Sequence, residues 1–208
     1  GVPTQKNEEW KYTALRGFAE TSWKVAQGSG SVDVSHFVEG SIRIVLVNGR
    51  LTAEGIQGSD QQVRISSLSD SVGESVLAKH QGKAVGEPTY PEGRVIQSDV
   101  YPFGELNTAL FEDAVVIEVI GLCEKVIEIV HVQSGESSDL SFPRVLVTMA
   151  PNSGAKIVES YVSSSDNACA TIAVTEVFVG EGANLEHIRV QNQSDRSLHI
   201  GLWQTKQE

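Results

Sequence analysis

Val147-Thr-Met-Ala-Pro-Asn-Ser-Gly-Ala-Lys-Ile-Val-Glu159 is echoed further along the chain by Val177-Phe-Val-Gly-Glu-Gly-Ala-Asn-Leu-Glu186. In both, an apolar run ends at a short Gly-bearing turn, Gly-Ala follows (Gly154-Ala155, Gly182-Ala183), and a second run begins. The offset is 28 residues at the Gly-Ala pairs and 30 at the strand starts. Recurrence at a few tens of residues suggests a solenoid, in which each turn buries its apolar face on the next.

Working outward, seven short runs occupy the stretch from Asn107 to Thr205. They are Val115–Ile120, Val126–Val132, Val145–Met149, Lys156–Val162, Thr171–Val179, Asn184–Gln191 and Leu198–Thr205. All are rich in Val and Ile and bounded by Gly, Pro, Asn, Ser or Asp. Branched side chains suit a pleated, half-buried surface, and Gly and Pro punctuate turns, so these read as strands. Nothing between them is long or periodic enough to be a crossover helix. Several runs, such as Lys156–Val162, alternate apolar and polar residues. A closed sandwich or jelly roll produces the same alternation, so the pattern leaves solenoid and sandwich both open.

The remaining half is less regular. Thr4 is placed to cap a short helix, with Trp10 and Tyr12 anchoring the N-terminal arm on the body. Residues 14–40, with Trp23 and Phe37 among Gly and Ser, read as irregular. Ser41–Val47 is a strand, and Asn48-Gly49 before Arg50-Leu51 is a strong hairpin signal. Val63–Leu68 reads as a further strand. Ser69–His80 is the clearest helix, with Ser71 and Glu74 at capping-box spacing, Val72, Val76 and Leu77 on one stripe, and Gly82 as its stop. From Glu87 to Gly104, Pro88, Pro91 and Pro102 make a stiff connector, because Pro fixes its own φ and keeps the preceding residue extended. Glu105–Phe111 predicts one or two helical turns that bury Leu106, Leu110 and Phe111. The expected organisation is an α+β lead-in with its Pro-rich connector over residues 1–104 and the β body over residues 105–208.

Composition bounds the function. A chain of 208 residues with 40% apolar content can bury a substantial core. Its net charge of −11 argues against a nucleic-acid partner, which needs clustered Lys and Arg. No apolar run approaches a membrane span and no signal-peptide pattern opens the chain, so a reducing, cytoplasm-like compartment is expected. Cys123 and Cys169 read as reduced thiols acting as small core residues. The start at Gly-Val-Pro and the charged end at Lys206-Gln-Glu208 read as those of a fragment.

No catalytic constellation stands out: there is no Gly-x-Ser-x-Gly, no phosphate-cradling loop and no Cys-x-x-Cys. His36, His80, His131, His187 and His199 are scattered and lack the short paired spacing of metal ligands. His131 follows a nearly unbroken apolar run and reads as a hydrogen-bonded, semi-buried histidine. His187 shares the parity of Arg189 and Gln191, opposite to Ile188 and Val190, and reads as facing outward. His199 reads likewise as a solvated strand position. His80 reads as a helix-dipole partner or a solvated residue. The acid pairs Glu8-Glu9, Glu112-Asp113 and Glu136 with Asp139 read as solvated faces. The residues thus nominate no catalytic, cofactor-binding or metal-binding residue.

Several blocks taken together resemble a known family. They are Glu8-Glu-Trp-Lys-Tyr-Thr13, Pro102-Phe-Gly-Glu-Leu-Asn-Thr-Ala-Leu-Phe111, Pro143-Arg-Val-Leu-Val147, Glu159-Ser-Tyr-Val162, Ala173-Val-Thr-Glu-Val-Phe-Val-Gly180, Leu185-Glu-His187 and His199-Ile200. In this order they resemble the SufB/SufD family, scaffold subunits of the SufBCD iron–sulfur cluster assembly complex, and the first two look closer to the SufD branch. The resemblance implies a mainly β fold, a right-handed parallel β-helix behind a small α+β N-terminal segment. It implies a non-enzymatic scaffold that acts with SufB and the ATPase SufC, in a bacterial cytoplasm or equally a plastid. It implies no cofactor in this chain; the parent complex handles the cluster, and ATP is used through SufC. The family's cluster-associated residues and SufC-docking region lie beyond position 208, so none carries onto this chain. An incomplete β-helix of this kind is expected to self-associate through its exposed strand edges. The competing reading from the residues alone is a carbohydrate-active β-solenoid, enzyme or binding module.

Overall fold

The computed structural model describes residues 2–7, 10–28, 38–81, 83 and 102–208. The expectations for His36, Phe37, Gly82, the Glu8-Glu9 pair and most of the Pro-rich connector fall outside these residues.

From Val115 onward the chain winds between two sheets. The first sheet (A) contains β5 (Val115–Val119), β7 (Asp139–Ser141), β8 (Arg144–Met149), β10 (Ala170–Val179) and β12 (Leu198–Gln207). The second (B) contains β6 (Leu122–Gln133), β9 (Gly154–Ser163) and β11 (Asn184–Asn192). Apart from β7 and β8, which follow one another within sheet A, successive strands cross to the other sheet through a short turn, and β8 to β12 each lie parallel to the strand of the coil before. The result is a β-solenoid of about three turns, which decides between solenoid and sandwich. All seven predicted strands of the body are present. The short β7 was missed because it spans only Asp139–Ser141 before Phe142-Pro143 interrupts the run.

The repeat is 30 residues through most of the solenoid: Val115 lies beside Val145, and Val145 beside Thr175. The Gly-Ala echo does not set the register. Gly154 lies beside Asn184, so Gly154-Ala155 opens a strand while Gly182-Ala183 sits in the turn before one. The 28-residue spacing appears instead between β10 and β12, where Ala170 lies beside Leu198. Both spacings are even, so inward residues stack on inward residues from coil to coil, as a side-chain period of two requires.

The N-terminal half adds to both sheets. β2 (Ile42–Val47) runs parallel beside β6 and brings Ile42, Ile44 and Leu46 into the core below Ile127, Ile129 and His131. β3 (Arg50–Gln57) returns antiparallel through Asn48-Gly49, both at positive φ, as the hairpin signal predicts. β4 (Val63–Ser67) pairs antiparallel with β5, and β1 (Lys24–Val25) lies beside β7. Residues 14–40 are not wholly irregular, because they also hold a short helix, α1 (Arg16–Glu20).

Two helices lie on the outer face of sheet A. α2 (Ser71–His80) is capped by Asp70, whose carboxylate accepts from the Gly73 N–H, in place of the expected Ser71–Glu74 box. Its Leu77 packs on Val116 and Leu146. α3 (Pro102–Leu110) starts at Pro102, where a missing N–H costs nothing. It buries Phe103 and Asn107, whereas Leu110 is exposed. Phe103 meets Trp10 and Phe18 in an aromatic cluster, with ring centroids 5.2 and 5.3 Å away. Trp10 therefore anchors the N-terminal arm as expected, but Tyr12 is exposed. Beneath α3, Arg144 donates to Glu176 at 2.5 Å and to Asn107 at 3.1 Å, and Asn107 donates to the carbonyls of Pro143 and Ile172.

Candidate functional site: a polar lumen

The lumen changes character along its length. On sheet B, Ile44, Ile129, Glu159 and Arg189 follow one another across four neighbouring strands. The adjacent rows read Ile42, Ile127, Ile157, His187 and Leu46, His131, Tyr161, Gln191. On sheet A, Val115 and Val145 lead to Thr175 and Trp203, while Ser141 leads to Thr171 and His199. Early coils fill the interior with aliphatic side chains, and later coils fill the same positions with titratable and hydrogen-bonding groups.

Glu159 is the centre. It is fully buried, a position that a carboxylate tolerates only when its lone pairs are taken up. Its Oε1 accepts from Tyr161 Oη at 2.7 Å and Thr175 Oγ1 at 2.9 Å, and lies 3.0 Å from His131 Nε2. Its Oε2 lies 3.0 Å from His187 Nε2 and 3.8 Å from an Arg189 nitrogen. Burial alone would raise the Glu159 pKa, but hydrogen bonds from His131 and His187 and the charges of His131 and Arg189 outweigh it. They hold the carboxyl well below its ordinary range. Both Nε2 atoms therefore donate to the carboxylate, and each Nδ1 is left buried without a hydrogen-bond partner among the described residues.

Aromatic rings close the site. The His131 and Tyr161 rings stack at 4.4 Å, His199 meets Tyr161 edge-on at 4.5 Å, and Trp203 meets His187 edge-on at 5.0 Å. The Arg189 guanidinium lies over the Tyr161 ring, 5.7 Å from its centroid. Burial, followed by the adjacent Glu159 charge, pushes the Tyr161 phenol well above its usual pKa, so it stays a donor. A second set of bonds joins the next rows: Gln193 Nε2 donates to Gln133 Oε1 and Thr171 Oγ1, both at 3.0 Å. His199 Nδ1 lies 2.8 Å from Gln193 Oε1. Burial, with the charges of Arg189 and His131, lowers the His199 pKa to about 4, so its ring stays neutral near pH 7.

The structure thus brings together three histidines that the sequence left scattered. His131 is hydrogen-bonded as expected. His187 and His199 are corrections: the His187 side chain is buried and points into the lumen, while Ile188, of the opposite parity, is exposed. His199 is likewise turned inward, against Tyr161. Glu159, Tyr161, Thr175 and Arg189 were missed altogether. The signal that could have found them is the 30-residue register, which places Glu159 after two isoleucines in one inward row.

The other candidates stay apart from this cluster. His80 ends α2, its Nδ1 2.9 Å from the Val76 carbonyl. Glu112 pairs with Arg50, and Asp113 accepts from the Leu51 and Ala114 N–H groups. Asp139 accepts from the Glu136 N–H. Cys123 and Cys169 are buried free thiols, as expected, and burial followed by nearby Asp60 and Asp139 respectively raises both pKa values. Poorly ionised, enclosed thiols are weak nucleophiles. Among the described residues, no helix is long and apolar enough to cross a membrane.

A parallel two-sheet solenoid with a packed, hydrogen-bonded interior defines this chain as a β-solenoid protein whose distinguishing residues lie in its lumen. Its residues 131–208 match the family model described as SUF system FeS cluster assembly, SufBD core domain. The chain is similar to an iron–sulfur cluster assembly SufBD family protein of Synechocystis sp., at 28% identity over 216 aligned positions, covering 96% of this chain and 46% of the relative. It is also similar to the iron–sulfur cluster assembly protein SufD of Escherichia coli, at 24% identity over 209 positions, covering 96% and 45%. The chain spans about half the length of these relatives.

Proposed function

We propose that this chain is the solenoid-bearing part of a SufD-type scaffold that works in iron–sulfur cluster assembly beside SufB and the ATPase SufC. One observation carries the reading: the family match covers residues 131–208, the segment that contains the whole polar network from His131 to Trp203. The segment that resembles the family is therefore the one that departs from a plain aliphatic lumen.

In this reading the protein is not an enzyme. The buried carboxylate is saturated by donors from four strands, β6, β9, β10 and β11, so its chemistry is spent on holding neighbouring coils in register. The cluster is cargo handled by the assembly, and ATP is consumed by SufC. A cytoplasmic or plastid setting follows from the same reading.

The test is a tagged pull-down of the natural full-length protein from its own cells, with quantification of SufB and SufC homologues. Co-purification of both in fixed ratio is expected, together with reduced activity of iron–sulfur enzymes when the gene is deleted. A clean pull-down without either partner would overturn the assignment.

A further inference from the structure

A cleft of about 370 Å³ opens on the outer face of sheet A, beyond the C-terminal end of α2. Thr148, Phe178 and Lys206 lie side by side across β8, β10 and β12 and form one part of it. His80 closes another side, its ring edge-on to Phe178 with centroids 4.9 Å apart. Lys79 and Lys83 flank His80, and Glu208 is the acid among the described lining residues.

The charge runs against the rest of the molecule. In a chain of net charge −11, three lysines from separate positions converge here, and none of them is held in an ion pair among the described residues. Lys79 and Lys83 could be explained as complements to the helix dipole. Lys206 could not, because it lies on β12, whose neighbour in the sheet is β10. The cleft therefore collects positive charge around an aromatic floor.

The geometry also selects the kind of anion. A compact phosphate favours the N-terminal end of a helix, where free N–H groups converge. Here α2 presents its carbonyl end, with the Leu77 and His80 carbonyls taken by the N–H groups of Gln81 and Lys83. Lysines on a helix end and a strand suit carboxylates spaced along an extended chain, and Phe178 suits an apolar side chain between them. We propose that this cleft receives an acidic segment of a partner protein, with an apolar side chain seated on Phe178 and flanking carboxylates reaching Lys79, Lys83 and Lys206.

The experiment is fluorescence anisotropy of the whole chain with a fluorescein-labelled peptide Asp-Glu-Leu-Phe-Asp-Glu. Saturable binding is expected, weakening severalfold as salt rises from about 0.05 M to about 0.5 M and screening shortens. The double variant Lys79→Glu/Lys206→Glu should bind at least about tenfold more weakly, as expected when two charge contacts become repulsive. Lys24→Glu/Lys156→Glu makes the same change of net charge at exposed lysines outside the cleft and should bind as the parent does. Thermal melts establish that each variant folds, and Lys79→Gln/Lys206→Gln replaces the first pair if it does not. Absence of saturable binding would overturn the proposal. So would equal weakening in the control variant, or displacement of the peptide by inorganic phosphate or ATP at matched ionic strength.

Discussion

His187 Nε2 lies 3.0 Å from Oε2 of Glu159, a residue 28 positions earlier in the chain and on the neighbouring strand. The contact ties two successive coils through the lumen, and His131 makes the corresponding contact from the coil before. One carboxylate thereby fixes three coils in register. Buried ionic groups are rarely the most stable filling for a core, and their best-attested use is to single out one register among several. An aliphatic lumen would let a coil of Val and Ile slide with little penalty; this one would leave a buried charge unpaired.

Replacing the carboxylate tests that role. Glu159→Gln keeps the shape but turns an NH2 group toward donors that need an acceptor, and it strips the counter-charge from Arg189. Breaking a buried charged network by removing one partner costs about 3–5 kcal/mol. Urea unfolding of the variant should show a loss in this range, and a loss below about 1 kcal/mol would contradict the role given to Glu159.

Acid should weaken the protein in two steps. The folded-state pKa of His199 is depressed to about 4 from 6.5, so its contribution is complete above about 6.5 and is lost as pH falls toward 4. Such a depression corresponds to about 3 kcal/mol at full burial, reduced to about 2 by partial exposure. Glu159, held well below 4.5 in the folded state, adds a further loss only as pH falls below that value. Unfolding measured from about pH 8 down to about pH 2 should therefore slope downward below 6.5 and again below 4.5, and His199→Asn should flatten the first segment while leaving the second.

The Arg144–Glu176 pair under α3 calls for a double-variant comparison. Both side chains are almost fully buried, so Arg144→Met alone leaves Glu176 without its nearest cation and should cost about 3–5 kcal/mol. Arg144→Met combined with Glu176→Met removes both charges and should recover most of that loss, since apolar replacements of buried pairs are often neutral. A double variant no more stable than the single one would show that the pair is not the dominant interaction there.

Gly49 allows a sharper backbone test. It sits at φ 84°, and a Cβ there would lie 3.0 Å from the Pro143 nitrogen and 3.1 Å from the Phe142 carbonyl carbon. Gly49→Ala combines left-handed strain with a clash against backbone, and should cost about 1–3 kcal/mol. An unchanged melting temperature would mean that the hairpin and the β7–β8 junction are not in contact as described.

The strands were legible because each is a short branched run closed by turn residues, and those signals are local. The helix over 71–80 was legible for the same reason, although its cap was displaced by one residue to Asp70. The candidate site was not legible. In β9 the inward set is Ala155, Ile157, Glu159 and Tyr161 and the outward set is Lys156, Val158, Ser160 and Val162. Each set mixes polar with apolar residues. In β11 the outward Ile188 and Val190 are more apolar than the inward His187 and Arg189, so parity pointed the wrong way.

By itself the sequence determined the seven longer strands of the body, the hairpin at Asn48-Gly49 and the resemblance to the SufB/SufD family, all carried by neighbouring residues, but not the short β1 and β7. Only the tertiary structure decided which parity faces the lumen, because that depends on parallel pairing between residues 30 apart. Once that register is set, Glu159 falls in the inward row after Ile44 and Ile129, and His131 and His187 arrive from the coils on either side. A buried carboxylate is stable only where such partners converge, and their convergence is a property of the stacked coils rather than of any one strand.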